Sequence, residues 1–161
     1  MKSAVILSVG GDFVKPDKTD MTIVHLLQQD ARMSIKDIAS RVYLSSPAVS
    51  TRIERLEKAG IIKGYRAEVD LVALGWFVTA YVDVSMSPDR KPEFYDYIKG
   101  VPNVLECSCV TGEFTMHMKT AFHTTSDLDT FITRLQKFGA TSTQIVFSVN
   151  VEPRGIDFYE G

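Results

Sequence analysis

The chain has 161 residues, 45% of them hydrophobic and 24% charged, with a formal net charge of −2. That length admits one mid-sized domain or two small ones, the composition is that of a globular protein, and the near-neutral balance decides nothing about a nucleic-acid partner. No apolar run reaches the roughly 18 residues a membrane span needs, and two cysteines make no disulfide framework, so no membrane partner and a reducing cytoplasm are expected.

Residues 1–15 read as an extension, flexible or an extra strand. Its short apolar start is broken by Gly10-Gly11-Asp12, so it is not read as a signal peptide. A helix is predicted over 18–29, with Ile23, Val24 and Leu27 on one face and Asp17 and Asp20 near its positive end. Ser34-Ile35-Lys36-Asp37 opens a second helix that turns Ile35, Ile38, Ala39 and Val42 inward. After the turn Tyr43-Leu44, Ser45-Ser46-Pro47 starts a third helix with Val49, Ile53 and Leu56 as its buried stripe, and Gly60 ends it. Residues 61–69 read as two short extended segments around Gly64, a wing-like hairpin. Residues 67–75 read as a linker.

The second half changes period. A strand is expected over 76–86, then a short helix carrying Phe94, Tyr95 and Ile98. Strands at 104–110 and 114–122 follow, flanking a turn at Thr111-Gly112-Glu113. A helix capped by Ser126 runs to Gly139, and a last strand spans 143–151. The order β-α-β-β-α-β is the split ferredoxin-like arrangement. The expected architecture is therefore α/β (α+β): a winged helix-turn-helix over 16–66, a ferredoxin-like domain over 76–152 and a tail over 153–161.

Charge divides along the same line. Residues 32–66 hold eight Lys/Arg and three Asp/Glu; residues 71–161 hold seven and eleven. A basic module beside an acidic one suits DNA binding coupled to another task. The reading helix would present Ser45, Ser46, Pro47, Ser50, Thr51, Arg52 and Arg55, hydroxyls and guanidinium groups suited to base edges and phosphates, with Lys63 and Arg66 reaching phosphates from the wing. Cys107-x-Cys109 lacks the further ligands that zinc needs, and no nucleophile-base, phosphate-loop or dinucleotide motif is present, so no catalytic residue, metal or cofactor is expected.

Residues 17–75 resemble the N-terminal domain of the Lrp/AsnC (leucine-responsive, feast/famine) regulators. The likeness is carried by Asp17-x-x-Asp20-x-x-Ile23-Val24-x-x-Leu27, Asp30-Ala31-Arg32-Met33-Ser34, Asp37-Ile38-Ala39, Leu44-Ser45, Val49-x-x-Arg52-Ile53-x-x-Leu56-Glu57-x-x-Gly60-Ile61-Ile62-x-Gly64-Tyr65 and Leu74-Gly75. Val101-Pro102-Asn103-Val104-x-Glu106-Cys107 and Val110-Thr111-Gly112-Glu113-Phe114 are similar to the family's effector domain. The resemblance implies a regulator of transcription that binds double-stranded DNA. It also implies homodimers built through the sheets, often four dimers in a ring, and an amino-acid effector at the turn Thr111, Gly112, Glu113, Phe114 and Thr115, with the loop 124–127 a weaker candidate. The rival expectations are a small-molecule-sensing assembly protein without DNA binding and an enzyme akin to tetrapyrrole decarboxylases. Two departures stand out: Tyr43 where the family usually has Gly, and Thr115 where it usually has a second acid.

Overall fold

The computed structural model describes residues 15–157. The expected extension falls almost wholly outside them. Two compact units emerge: residues 15–67 with 152–157, and residues 68–151.

The first unit holds three helices, α1 (Lys18–Gln29), α2 (Ile35–Val42) and α3 (Ser46–Lys58). Each begins at a side-chain cap. Asp17 and Asp20 form a reciprocal box at α1, Asp20 N–H donating to Asp17 (2.8 Å) and Asp17 N–H to Asp20 (3.0 Å). Ser34 accepts from Asp37 N–H at α2, and Ser45 from Ala48 N–H at α3. Ile23, Leu26, Ile38, Ala39, Val49 and Ile53 close the core. Ala39, the small residue expected at the helix crossing, is buried there. Gly60 ends α3 with φ +69°, its N–H on the Glu57 carbonyl and the Ile61 N–H on that of Leu56.

Tyr43 ends α2 in the left-handed region, φ 56° and ψ 41°. It is the one non-glycine residue with positive φ among those described. The turn demands this conformation, because Leu44 must bond back to the Ala39 carbonyl (3.0 Å) and pack against the core before Ser45 can cap α3. A side chain in that region costs roughly 1–2 kcal/mol.

The second unit is a four-stranded antiparallel sheet of order β2-β3-β1-β4, built from β1 (Val78–Ser85), β2 (Val104–Cys109), β3 (Met116–Phe122) and β4 (Ala140–Ile145). Helices α4 (Lys91–Lys99) and α5 (Thr125–Leu135) complete the ferredoxin-like order. Ala80, Val82 and Val84 of β1 with Met116 and Met118 of β3 pack against Phe94 and Ile98 of α4 and Leu128, Phe131 and Leu135 of α5. The opposite sheet face carries Tyr81, Asp83 and His117, the Asp83 carboxylate lying 2.6 Å from His117 Nδ1.

Four local expectations are corrected. Residues 61–70 form no strand, so the hairpin around Gly64 is absent; Ile62 packs on the helical core and Tyr65 bonds to Glu57 of α3, so the segment is held by the helices and not by a two-stranded ladder. Thr124, not Ser126, caps α5, in a reciprocal box with Asp127. The last strand lies at 140–145, earlier than expected, because it pairs with β1 from Ser85↔Ala140 to Ala80↔Ile145. Gly139 is not the cap of α5, which ends at Leu135.

Gly139 instead lets β4 start against β1. A Cβ there would lie 1.8 Å from the Ser85 carbonyl oxygen. Gly139→Ala is therefore expected to cost about 3 kcal/mol, at the upper end of overpacking effects, read as a lowered urea midpoint with little change in slope.

Candidate nucleic-acid interface and effector turn

The outward stripe of α3 is set by its buried one. Val49, Ile53 and Leu56 are buried, which leaves Pro47, Thr51, Glu54 and Lys58 outward at helical spacing, with Ser46 exposed in the first turn and Ser50 half-buried. Thr51 donates its hydroxyl to the Pro47 carbonyl (3.1 Å). Ser45 is exposed beside them, its oxygen engaged as the cap. Lys63 and Arg66 are exposed, but on irregular chain and not on a wing hairpin.

Arg52 and Arg55 do not stand free on this stripe. Arg52 Nη1 lies 2.7 Å from Asp17 Oδ2 and 2.8 Å from Asp20 Oδ1, and Arg55 Nη2 lies 2.5 Å from Asp20 Oδ2. The Asp20 side chain is fully buried. A buried carboxylate left unpaired is costly, so the two guanidinium groups are drawn from α3 onto α1. Arg55 remains partly exposed beyond this contact. The Asp20 backbone N–H and then the Arg52 guanidinium hold the Asp17 carboxyl below its usual range. A depressed carboxyl contributes stability above its ordinary value and loses it as pH falls through the depressed one.

Sequence reasoning missed Asp20 as a partner, since the bonded pairs are 32 and 35 residues apart. It also passed over Glu54, whose place four residues after Ser50 was visible in the spacing. Tyr65, behind α3, donates to Glu57 (2.9 Å), and burial followed by that carboxylate pushes its phenol up to about 12.

The turn after β2 brings Thr111, Gly112 and Glu113 together as an exposed bend, with Phe114 and Thr115 half-buried behind it. Gly112 has φ +120° and open space around it, so the bend needs glycine for its backbone. Val110 N–H bonds to Thr115 O (2.9 Å), closing the bend, and Thr115 N–H to Val84 O (3.1 Å) ties it to β1. Thr115 Oγ1 is buried and has no hydrogen-bond partner among the described residues. The loop 124–127 lies apart from this bend, at the other end of β3. There Asp127, Trp76, Tyr97, His123, Phe131 and Arg134 line a cavity of about 350 Å³.

Cys107 is half-buried on β2 and Cys109 exposed, with Lys91 Nζ 3.6 Å from the Cys109 sulfur. Burial, then the neighbouring Cys109, pushes the Cys107 thiol up to about 11. Among the described residues no group of three or more His, Cys, Asp or Glu is placed to hold a metal ion, and no helix is long and apolar enough to cross a membrane.

Residues 16–63 match the family of winged helix-turn-helix DNA-binding domains, and residues 79–156 the Lrp/AsnC ligand-binding domain. The chain is 30% identical over 135 residues to the HTH-type transcriptional regulator LrpC of Bacillus subtilis (strain 168), covering 84% of this chain and 94% of the relative. It is also 30% identical over 143 residues to a proline dehydrogenase transcriptional activator of Rhodobacter capsulatus, covering 84% and 93%. The solved structure of B. subtilis LrpC superposes with a TM-score of 0.81 at 29% identity, over 86% of this chain and 99% of that one. A Neisseria meningitidis transcriptional regulator solved with L-Met superposes with a TM-score of 0.80 at 24% identity, over 87% and 94%.

Removing both Arg52 and Arg55 (Arg52→Ala with Arg55→Ala) is expected to cost about 3–5 kcal/mol by leaving the buried Asp20 carboxylate without its cationic partners, seen as a lowered thermal midpoint. At pH 7.5 iodoacetamide should reach the exposed Cys109 ahead of Cys107, which is half-buried and whose raised pKa leaves little thiolate; peptide masses read the result.

Proposed function

The chain belongs to the Lrp/AsnC family of HTH-type transcription regulators, and from that premise we propose how its two units divide the work. Members of the family are regulators, not enzymes, and this chain is a DNA-binding regulator of that type. The first unit reads double-stranded DNA through α3. Ser46, Pro47, Ser50 and Thr51 approach the major groove from the N-terminal end, where a helix also offers its positive dipole to phosphate. Glu54 extends the reading stripe. An acid there accepts from cytosine and disfavours close phosphates, so it acts in selection more than affinity. Lys63 and Arg66 supply phosphate contacts. Arg52 holds α3 at its angle, and Arg55 does so while leaving part of its guanidinium for the backbone. The observation that carries this reading is the exposed, capped N-terminal turn of α3, on a helix anchored by ion pairs from Arg52 and Arg55 to the buried Asp20.

The second unit senses and assembles. Its bend offers Gly112 backbone and the Glu113 carboxylate to the two charges of an amino acid. Support comes from the buried, unpartnered Thr115 hydroxyl, a deficit of about 1–3 kcal/mol that a ligand or a second copy would relieve. Exposed Phe77, Phe147 and Val149 are apolar surface that assembly would cover, the more so because Phe147 is 99% exposed. Homodimers would present two reading helices to a pseudo-palindrome, and further dimers would occupy neighbouring sites. An effector that binds one dimer-dimer arrangement better than another shifts the spacing of the helices. We place the protein in the cytoplasm, with DNA, a small molecule and its own copies as partners and no cofactor.

Affinity for duplex DNA from the chain's own upstream region should fall at least about 100-fold between 50 and 200 mM salt, as a dimer making four or more phosphate contacts requires. Salt-insensitive or absent binding would leave a sensing protein without DNA. Light scattering should return a multiple of the dimer mass. Across the twenty amino acids, one should change mass or affinity, and Glu113→Gln should remove that response while DNA binding stays.

A further inference from the structure

Tyr43 holds a strained backbone and earns nothing for it within the chain. Its φ of 56° lies where side chains are disfavoured, and its side chain is 93% exposed, so no packing offsets the strain. Glycine would make the same turn at less conformational cost. An exposed aromatic kept in a disfavoured conformation is a pointer to function.

Its place says which function. Tyr43 stands two residues before Ser45, the cap of α3, at the end of the helix that enters the groove. Arg41 is exposed on the last turn of α2 beside it. Leu44 turns inward to the core, so the chain reverses at Tyr43 and leaves it outermost. At that position a duplex engaged by α3 presents sugar and phosphate, and a phenol can donate to a phosphate oxygen.

We propose that Tyr43 is a phosphate-contacting residue that fixes the register of α3 on DNA, its hydroxyl donating to the backbone flanking the bases that α3 reads. This rests on the DNA-binding reading above. A neutral donor displaces no counterion, so the contact adds affinity without steepening the salt dependence. A phosphate carries no sequence information, so the gain is the same on any duplex.

The test compares Tyr43→Phe and Tyr43→Gly with the parent, as whole chains, on the upstream duplex and on an unrelated duplex of equal length. Both variants should lose roughly tenfold in affinity on both duplexes, with the slope against salt unchanged. Tyr43→Gly should meanwhile keep or raise the melting temperature, because it relieves the turn. Weaker binding by a protein at least as stable excludes misfolding as the cause. If Tyr43→Gly binds like the parent, or Tyr43→Phe does, the hydroxyl contact is wrong. A change in oligomer mass in place of affinity would assign Tyr43 to contact between copies and overturn the proposal. Failure of the parent to bind at low salt would instead overturn the DNA-binding reading beneath it.

Discussion

A carboxylate with no access to water has to be compensated, and Asp20 draws its compensation from α3, the helix proposed to read DNA. The Asp20 side chain caps α1 and accepts from both Arg52 and Arg55, so the start of α1 and the middle of α3 are one electrostatic object. Hydrophobic contact through Ile23, Ile38, Val49 and Ile53 brings the helices together but tolerates small rotations. The bonds to Asp20 do not. Two guanidinium groups one turn apart, meeting one carboxylate, fix the angle of α3 about its own axis. Helical spacing puts Glu54 on one stripe with Pro47 and Thr51, and that angle holds the stripe outward.

The same cluster changes the electrostatic account. The basic surplus over residues 32–66 counts Arg52 and Arg55 as free, yet the acids that engage them lie just before that window. From residue 17 to 66 the count is nine basic and six acidic residues. The usable positive surface is therefore concentrated on the groups outside the cluster, Lys63, Arg66 and the α2 residues Lys36 and Arg41 among them. Extending the window to residue 17 keeps the sign of the surplus and lowers it from +5 (eight basic less three acidic) to +3 (nine less six).

What was legible in the sequence was periodicity and its punctuation. Apolar spacing with Asp17, Ser34, Ser45 and Gly60 marked all three helices of the first unit, because caps act locally and leave local traces. The sheet order followed from the alternation of elements. Errors came where long-range partners decide. The last strand is bounded by the length of β1, which its own residues do not record. Gly139 reads as a helix stop and is in fact a close approach to Ser85. The cap of α5 is a local exception: the Thr124–Asp127 box spans only three residues, and Ser126 with Asp129 has the same spacing two residues later. For the candidate site, the exposed hydroxyls were readable from helical spacing, whereas the fate of Arg52 and Arg55 depended on an acid more than thirty residues away.

A weak single module makes assembly the natural place for control. With a modest positive surplus and one acid on its proposed reading stripe, a lone copy of the first unit would have little affinity to spare. Joining copies converts later contacts into intramolecular ones at high effective concentration, so total affinity depends steeply on whether the helices match the spacing of the sites. The ligand proposed at the Gly112 bend would not need to touch DNA to alter that match. It needs only a preference for one arrangement of the copies, and a few kcal/mol of preference is enough to move the population. On this reading the rigid Asp20 cluster and the adjustable assembly are complementary. The cluster keeps each reading head constant, so that a change in spacing is the variable the DNA registers.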